Sequence, residues 1–394
     1  MRLDVEWRPL AALDDIVGPW QALIARAVEP NAFYERAFAL AGAPVFGRDA
    51  HALLVWSKPP EKCLLGLFPA RVARRYGIGP RLLTGWIHPF SLLGTPLVDR
   101  ERTEDVIAAW LDRLASDPTL PNLALLPTLS LEGPFCATLD RVLARRGLGY
   151  ADFDLHQRAL LAPGDDRTGY LAQAMGARHR KELPRRRRRL AELGPVTYEV
   201  TTAESDVADA FEQFLELEAR GWKGHRGTAA MNSEARLRFF REAVMRLARD
   251  GKTRVDVLRV GDKVIATSVA LCSGDTLFGW KMAYDEAYAK FSPGAQLMLD
   301  LTKDVLDNDS LARVDSCAAA DHPLINHLWN GRHAVADRLL SVRADRSAAF
   351  DAACALERTR RRMIDGAKAL RDNLRKQRRH FETRSKGSGR RLAR

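Results

Sequence analysis

The chain has 394 residues, too many for one ordinary core, and its 46% hydrophobic and 28% charged residues are typical of a folded two-domain protein. No apolar run is long enough to cross a membrane, and the opening MRLDVEWRPL lacks the apolar stretch of a signal peptide. Five scattered cysteines without paired metal-ligand spacing indicate reduced thiols, no metal site and a cytoplasmic protein.

The first 165 residues predict one domain in which strand patterns alternate with helical ones. In chain order, the predicted elements are a strand (3–7), a helix around Ile16–Ile24, three strands (52–56, 63–73, 81–86), a helix (102–115), a strand (123–127), a helix (136–146) and a strand (150–161).

A basic segment, GARHRKELPRRRRRLAELG, follows at residues 176–194. Pro184 is expected to start or interrupt a helix there, because proline fits only the first turn without losing a hydrogen bond. The segment could be a solvated linker helix. It could also be a basic rim over a cleft that receives an anionic donor or acceptor.

The second domain, residues 166–345, repeats the element order of the first. Gly261-Asp262 and Gly274-Asp275 predict tight turns between strands, and Ser233 predicts a helix N-cap. The predicted elements are a strand (196–200), helices (204–220 and 233–251), three strands (254–260, 263–272, 276–284), a helix (295–306), a strand (312–317), a short helix (322–330) and a strand (334–344). This repetition predicts an α/β (α+β) fold of two tandem domains, each a sheet flanked by helices. The element order resembles that of a GNAT-type domain, which implies that each sheet is mixed and splayed.

The net charge of +12 is concentrated at the end of the sequence. Residues 346–394 hold 16 Lys/Arg against 5 Asp/Glu, a net +11. We expect a basic tail that is helical or partly disordered. It could bind nucleic acid, an acidic partner or an anionic membrane surface, and binding to a membrane would place the protein at its inner face. It could also be only a solvated extension.

The stretch FGWKMAYDEAYAKFSPGAQLM, residues 278–298, runs from a buried strand into a helix start. Ser292 is a plausible N-cap, Pro293 suits the first turn, and Gly294 would let a ligand approach the backbone. The first N–H groups of a helix lack partners, so those of Gly294, Ala295 and Gln296 are expected to point into the mouth of the sheet. The first half has HPFSLLGTPLV instead, which indicates one active half and one supporting half.

Together with LELEARGWKGHRGTA (215–229) and DSCAAADHPLINHLW (315–329), this stretch resembles the CelD-type acetyltransferases associated with bacterial cellulose and exopolysaccharide synthesis. That family belongs to the GNAT superfamily and is similar in its doubled architecture to the FemABX peptidoglycan aminoacyltransferases. The resemblance implies transfer of an acetyl or other acyl group from acyl-CoA to a hydroxyl or amine. It also implies a donor pyrophosphate site at Ser292, Gly294, Ala295 and Gln296. Pro293 departs from the usual pyrophosphate loop and removes one donor, which leaves a different acyl carrier open.

Direct acyl transfer needs a base for the acceptor's proton. Glu218, before the Gly-rich loop, is the first candidate, although it could be a surface glutamate. Asp285 follows a strand end and could instead cap a turn. His322 is an alternative base, because histidine titrates near neutral pH.

Several residues near these candidates could bind substrate. The tryptophans could form aromatic walls or simply be core, and the lysines could pair with phosphate or with an acid. Strand alternation predicts that Trp280 and Lys281 lie on opposite faces and do not share one site. The candidate substrate-binding residues are Trp222, Lys223, Trp280, Lys281, Tyr284 and Asp321.

Cys317 allows another chemistry. With Asp321-His322 close behind it, a thiol–imidazole pair could carry a covalent acyl-cysteine intermediate. A small buried cysteine beside a capping aspartate is the alternative interpretation.

Three functions therefore compete. The first is an acyl-CoA-dependent acyltransferase acting on a polysaccharide precursor or related metabolite. The second is aminoacyl transfer from charged tRNA, for which the basic segments would supply phosphate contacts. The third is a non-catalytic accessory protein of an exopolysaccharide system, in which the doubled fold is a docking scaffold.

Overall fold

The computed structural model describes residues 3–164, 167–221, 232–343 and 348–388, with the side chains of the last helix described through Arg371. Within these ranges the strands are β1 Asp4–Pro9, β2 His51–Trp56, β3 Leu64–Ala73, β4 Leu82–Gly85, β5 Leu97–Val98, β6 Leu123–Ser130, β7 Tyr150–Leu161, β8 Val196–Thr201, β9 Thr253–Val260, β10 Lys263–Ser273, β11 Thr276–Tyr284, β12 Arg313–Asp315 and β13 Gly331–Ser341. The helices are α1 Val17–Arg26, α2 Arg36–Phe46, α3 Thr103–Ser116, α4 Pro134–Arg145, α5 Tyr170–Ala174, α6 Ala177–Ala191, α7 Glu204–Arg220, α8 Glu234–Arg249, α9 Pro293–Asp307 and α10 Ala348–Ser388.

The strands join into one continuous mixed sheet that spans both halves. Their order is β1-β2-β3-β4-β6-β13-β7-β12-β11-β10-β9-β8, with β5 paired to β3 off this path. In each half, four strands joined by antiparallel pairing (β1–β4 and β8–β11) are followed by one parallel pair, β4 with β6 and β11 with β12. The predicted tandem of mixed sheets flanked by helices is confirmed.

The last strand of each half pairs with strands of the other half. β13 lies between β6 and β7, and β7 lies between β13 and β12. Each half therefore completes its sheet with a strand from the other half. The domain boundary at residue 165 stays a prediction, because strands from before and after this residue pair with each other in one sheet.

Buried aromatic side chains also join the halves. Phe38 of α2 meets Phe239 of α8 edge to face, with ring centroids 5.4 Å apart. His88 stacks against Phe38 and Phe46, and its Nε2 has no hydrogen-bond partner. Burial lowers the pKa of His88 to about 3, so the ring is neutral in the folded protein.

In the first half, the space beside the parallel pair β4 and β6 is filled by the segment that follows β4. Gly94 N–H donates to the carbonyl of Thr128 at 3.1 Å, and Ser130 N–H donates to Thr95 Oγ1 at 3.1 Å. A Cβ on residue 94 would lie 2.1 Å from the Pro127 carbonyl oxygen, so only glycine allows this approach. The segment after β4 therefore occupies the space between β4 and β6.

The helix α10 begins on the first half and then leaves it. Phe350, Ala353 and Cys354 are buried against that half, and the carboxylate of Glu357 receives Arg75 Nε at 3.0 Å. From Arg362 to Arg371 every side chain is exposed. No helix in the described ranges is both long and apolar enough to cross a membrane.

Two predicted elements differ from the structure. Residues 322–330 were expected to form a short helix, but they contain only a 3₁₀ turn at Ile325–His327. Pro184 neither starts nor ends a helix, because α6 runs through it. Leu183 and Leu190, on either side of this proline, are buried, so α6 packs against the body of the protein on both sides of it.

Candidate active site

The sheet of the second half opens between β11 and β12. Parallel pairing joins only Thr276–Phe278 to Arg313–Asp315, and beyond this point the two strands separate. A cavity of about 500 Å³ occupies the opening. It is lined from one face of the sheet by Leu217 and Glu218 of α7, and from the other by Met298 and Leu301 of α9. The cavity therefore passes through the sheet, and its lining is mostly apolar.

A β-bulge shapes the wall that β11 gives to this cavity. Val269 of β10 pairs with Lys281 and Ala270 pairs with Gly279, so Trp280 has no partner opposite. Such an extra residue breaks the alternation of side chains. Trp280 and Lys281 both line the cavity, and the prediction that they do not share a site is wrong.

Phe90 of the first half contacts both of these side chains. Trp280 Nε1 donates to the Phe90 carbonyl at 2.9 Å. Lys281 Nζ lies 4.4 Å from the ring centroid of Phe90 and 4.8 Å from that of Phe240, a cation–π arrangement. Phe90 belongs to the HPFSLLGTPLV segment, so the first half supports side chains that line the cavity of the second half.

Glu218 lies where a base could act. It is on the last turn of α7, its side chain is only 3% exposed, and it lines the cavity. A surface glutamate is therefore excluded. The helix positions it because Val207, Phe211 and Leu215 bury the same face of α7 in the core.

His322 also lines the cavity, as expected. Its Nδ1 accepts from the backbone N–H groups of Leu324 and Ile325 at 3.4 and 3.3 Å. Burial lowers its pKa, with Asp321 opposing, so the ring is neutral at pH 7 and its proton lies on Nε2. In this tautomer the ring donates a hydrogen bond, which does not suit the role of base that the sequence predicted.

Cys317 lines the cavity in a left-handed backbone conformation, φ 49°. Its N–H donates to Asp315 Oδ1 at 2.9 Å. Burial, together with the charge of Asp315, raises the pKa of the thiol well above its usual range. The sulfur is protonated at neutral pH, which argues against the acyl-cysteine route.

A buried polar network behind Cys317 was not predicted. Arg158 Nη2 donates to Asp315 Oδ2 at 2.6 Å, and His333 Nδ1 lies 2.9 Å from the same oxygen. His333 Nε2 lies 3.0 Å from Ser130 Oγ. These four side chains come from the four central strands β7, β12, β13 and β6. The network therefore links the exchanged strands to the edge of the cavity.

The charges around Asp315 favour its ionised form. Asp315 is 2% exposed, and although burial opposes its ionisation, Arg158 and His333 hold its pKa far below the usual range. The signal available in the sequence was the presence of charged residues inside two strand segments that also carry apolar pairs, HQRALL (156–161) and GRHAVADRLL (331–340).

The start of α9 differs from the predicted pyrophosphate cradle. Ser292 is not a side-chain cap; it adopts a left-handed conformation, φ 55°, and its Oγ accepts from Arg186. The N–H groups of Ala295 and Gln296 both donate to the carbonyl of Ser292, at 3.0 and 3.1 Å. The expectation that these two groups are unpaired is wrong, because the carbonyl of the N-cap residue accepts the first hydrogen bonds of the helix.

Helix α6 covers this turn. Gln296 Nε2 donates to the Leu183 carbonyl at 2.9 Å, and Arg187 pairs with Asp300 at 2.7 Å. A Cβ on Gly294 would meet Met282 Cε at 3.5 Å, an ordinary contact, so nothing in the described chain requires glycine there. The basic segment is thus a helix packed on α9 rather than a free linker.

The remaining candidates differ in their position relative to the cavity. Tyr284 lines the cavity. Asp285 accepts from Ala287 N–H and pairs with Lys263 at 2.9 Å, which lowers its pKa against the effect of burial, and it does not line the cavity. Asp321 is exposed and likewise does not line it.

Trp222 and Lys223, predicted to bind substrate, lie outside the described residues. Within the part of the chain that the structure describes, no three His, Cys, Asp or Glu side chains are grouped to hold a metal ion.

Comparisons with known proteins define the class of this fold. Residues 177–322 match the family model described as Acetyltransferase (GNAT) domain. A search of curated protein sequences finds no match. The matched segment contains α6 through His322, that is, the opening and both of its walls. The part of the second half that forms the opening thus matches a GNAT acetyltransferase domain model.

Solved structures share the fold of both halves. FemX is 9% identical, with a TM-score of 0.54 over 82% of this chain and 95% of that one. The C-terminal domain (DUF2156) of an Agrobacterium fabrum protein, described as a lysylphosphatidylglycerol synthetase, is 15% identical, with a TM-score of 0.53 over 86% and 94%. A Bacteroides thetaiotaomicron protein of unknown function is 12% identical, with a TM-score of 0.52 over 86% and 99%. At these identities the likeness concerns the fold alone.

Proposed function

We propose that this protein transfers an acyl group, acetyl or longer, directly from acyl-CoA to a hydroxyl or amine. The observation that carries the proposal is the cavity through the sheet, lined by the buried carboxylate of Glu218 within the segment that matches the GNAT domain. A thioester donor and an acceptor can meet in such an opening from opposite faces of the sheet.

The donor's pantetheine arm would lie along the edge of β11. From Gly279 to Tyr284 this edge faces the opening rather than β12, so an extended chain of amides can pair with it like an added strand. The donor's phosphates would lie near the start of α9. Since Ala295 and Gln296 N–H already have partners there, the guanidinium groups of α6, Arg186 first, would supply the charge.

The chemistry follows from the residues that line the cavity. The acceptor's lone pair forms a bond to the thioester carbon while Glu218 takes the acceptor's proton. The Lys281 ammonium, which lines the same cavity, would stabilise the resulting oxyanion. The carbon–sulfur bond then breaks, the thiolate leaves with the electron pair, and it takes a proton to give free CoA. His322, neutral with its Nε2–H, can donate a hydrogen bond to the charge that develops.

The acceptor is proposed from sequence resemblance. The motifs around 215–229, 278–298 and 315–329 resemble CelD-type enzymes, which favours a hydroxyl or amine of a polysaccharide precursor or related metabolite. All five cysteines are free, which supports a cytoplasmic location for the reaction.

Calorimetric titration with acetyl-CoA and with longer acyl-CoAs tests this proposal. Met298→Trp fills the cavity from α9 and should abolish binding, and Gly294→Trp, at the start of α9, should weaken it. Val45→Trp fills a separate cavity between α2 and α8 and serves as the control that leaves binding unchanged. Absence of binding to every acyl-CoA by the folded wild type, or equal binding by Met298→Trp, would overturn the proposal.

One observation favours a second candidate, aminoacyl transfer from charged tRNA. Lys181, Arg185, Arg188 and Arg189 are exposed on α6, next to the start of α9. Phosphate contacts make tRNA affinity fall steeply with salt. Binding of charged tRNA with a steep salt dependence, together with no acyl-CoA binding, would favour this donor.

A further inference from the structure

The described end of α10 is exposed to solvent. Its first turns are anchored by Phe350, Ala353 and Cys354, and by the Glu357 carboxylate between Arg75 and Arg361. From position 362 to 371 the helix continues with all of its side chains exposed. This projecting segment therefore owes its helical form to the anchored turns and presents its faces to the surroundings.

One face of the projecting segment is apolar. Met363 is 66% exposed and Leu370 is 63% exposed. They are seven residues apart, two helical turns, with Ala367 between them on the same face. In the sequence, Leu374 and Phe381 continue the spacing that Ala367 begins. Two large apolar side chains held in one line in water indicate a binding face.

Basic residues flank this apolar face. At 100° per residue, Arg371 lies on one side of the Met363–Leu370 line and Arg362 lies on the other. Residues 362–394 contain 12 Lys/Arg and 3 Asp/Glu in total. The segment thus combines an apolar stripe with a strongly positive surround.

Three partners offer negative charge or apolar surface, and the pattern favours one. A nucleic acid would pair with the arginines but would leave Met363 and Leu370 in water, since it has no aliphatic phase for them. A second copy of this helix would cover the apolar stripe but bring like charges together. An anionic lipid surface satisfies both features, because acyl chains take up the stripe while headgroups pair with the flanking cations.

We infer that the segment of α10 from Arg362 onward lies on an anionic lipid surface, with Met363 and Leu370 in the acyl-chain boundary and the flanking arginines at the headgroups. The anchored turns fix the body of the protein to this helix. The inference is independent of acyl transfer, since it concerns a different part of the chain.

Co-sedimentation of the full-length protein with vesicles tests the inference. Phosphatidylcholine vesicles containing about a third phosphatidylglycerol should bind the protein, and pure phosphatidylcholine vesicles should not, because each basic residue near an anionic surface contributes about 1 kcal/mol. The double substitution Met363→Glu and Leu370→Glu should raise the lipid concentration for half-maximal binding by at least about tenfold.

A matched control separates the apolar face from added negative charge. Leu155→Glu with Leu193→Glu changes two exposed leucines of the body and should leave binding within about twofold of wild type. Circular dichroism checks that both variants are folded. The inference is overturned if the Met363/Leu370 variant binds anionic vesicles like wild type. It is also overturned if the wild type binds RNA but no vesicles, or if the stripe is already covered in a dimer seen by analytical ultracentrifugation.

Discussion

Replacing Asp315 by asparagine should destabilise the protein strongly. Arg158 is 3% exposed and Asp315 is 2% exposed, with 2.6 Å between Nη2 and Oδ2. Removing one charge of such a pair leaves the other buried without compensation, which typically costs about 3–5 kcal/mol. Asparagine retains the shape and one carbonyl oxygen, so the loss reports on charge rather than on a cavity.

The measurement is the free energy of unfolding by urea, compared with an exposed pair in the same protein. Asp309 is 97% exposed, 3.8 Å from Arg167, and Asp309→Asn should change stability by less than about 1 kcal/mol. The Asp315 contribution should be full above pH 4 and disappear only as the pH falls toward its strongly lowered folded pKa. Equal effects of the two substitutions would refute this account of the buried pair.

Three further outcomes are expected. Glu218→Gln should leave acyl-CoA binding intact but lower the transfer rate by about a hundredfold or more, measured by release of free CoA with an identified acceptor, and an unchanged rate would exclude it as the base. Cys317→Ser should retain most of that rate, because the thiol is protonated and makes no covalent intermediate; complete loss in a folded variant would restore the acyl-cysteine route. His88 has a folded pKa of about 3, so it stays neutral in the folded protein but binds a proton below about pH 6.5 once the chain unfolds. Acidification from pH 6.5 to 5 should therefore destabilise the wild type by about 2 kcal/mol more than the His88→Leu variant, measured by urea titration. Parallel pH profiles for the two proteins would contradict that assignment.

Local patterns were sufficient to predict most elements of this fold. The helix at 204–220 was found at its observed bounds, because its apolar spacing is helical and Gly221 follows its last residue. The turn dipeptides Gly261-Asp262 and Gly274-Asp275 located the hairpins among β9, β10 and β11, because such pairs favour tight turns. These signals lie within a few residues of the structure they determine.

Features that depend on distant partners could not be found this way. Alternation in β13 shows that one face is buried but does not show that its neighbours are β6 and β7. The bulge at Trp280 changes which side chains share the cavity. Gly279 inside the strand is a local signal for a bulge, but it does not show which side chains the bulge brings together. At Ser292 a standard cap sequence adopts a left-handed turn, and its hydroxyl accepts from Arg186 of the distant helix α6 instead of capping α9.

The exchange of β7 and β13 has a consequence for synthesis on the ribosome. β6 and β7 are made early, but the strand that separates and pairs with them begins at Gly331, about 170 residues after β7 ends. At about 5–20 residues per second, both nascent strands keep open edges for roughly 10–30 seconds. Open edges pair readily with other chains, so this interval, rather than the finished protein, is when newly made copies are most exposed to aggregation and most in need of a chaperone.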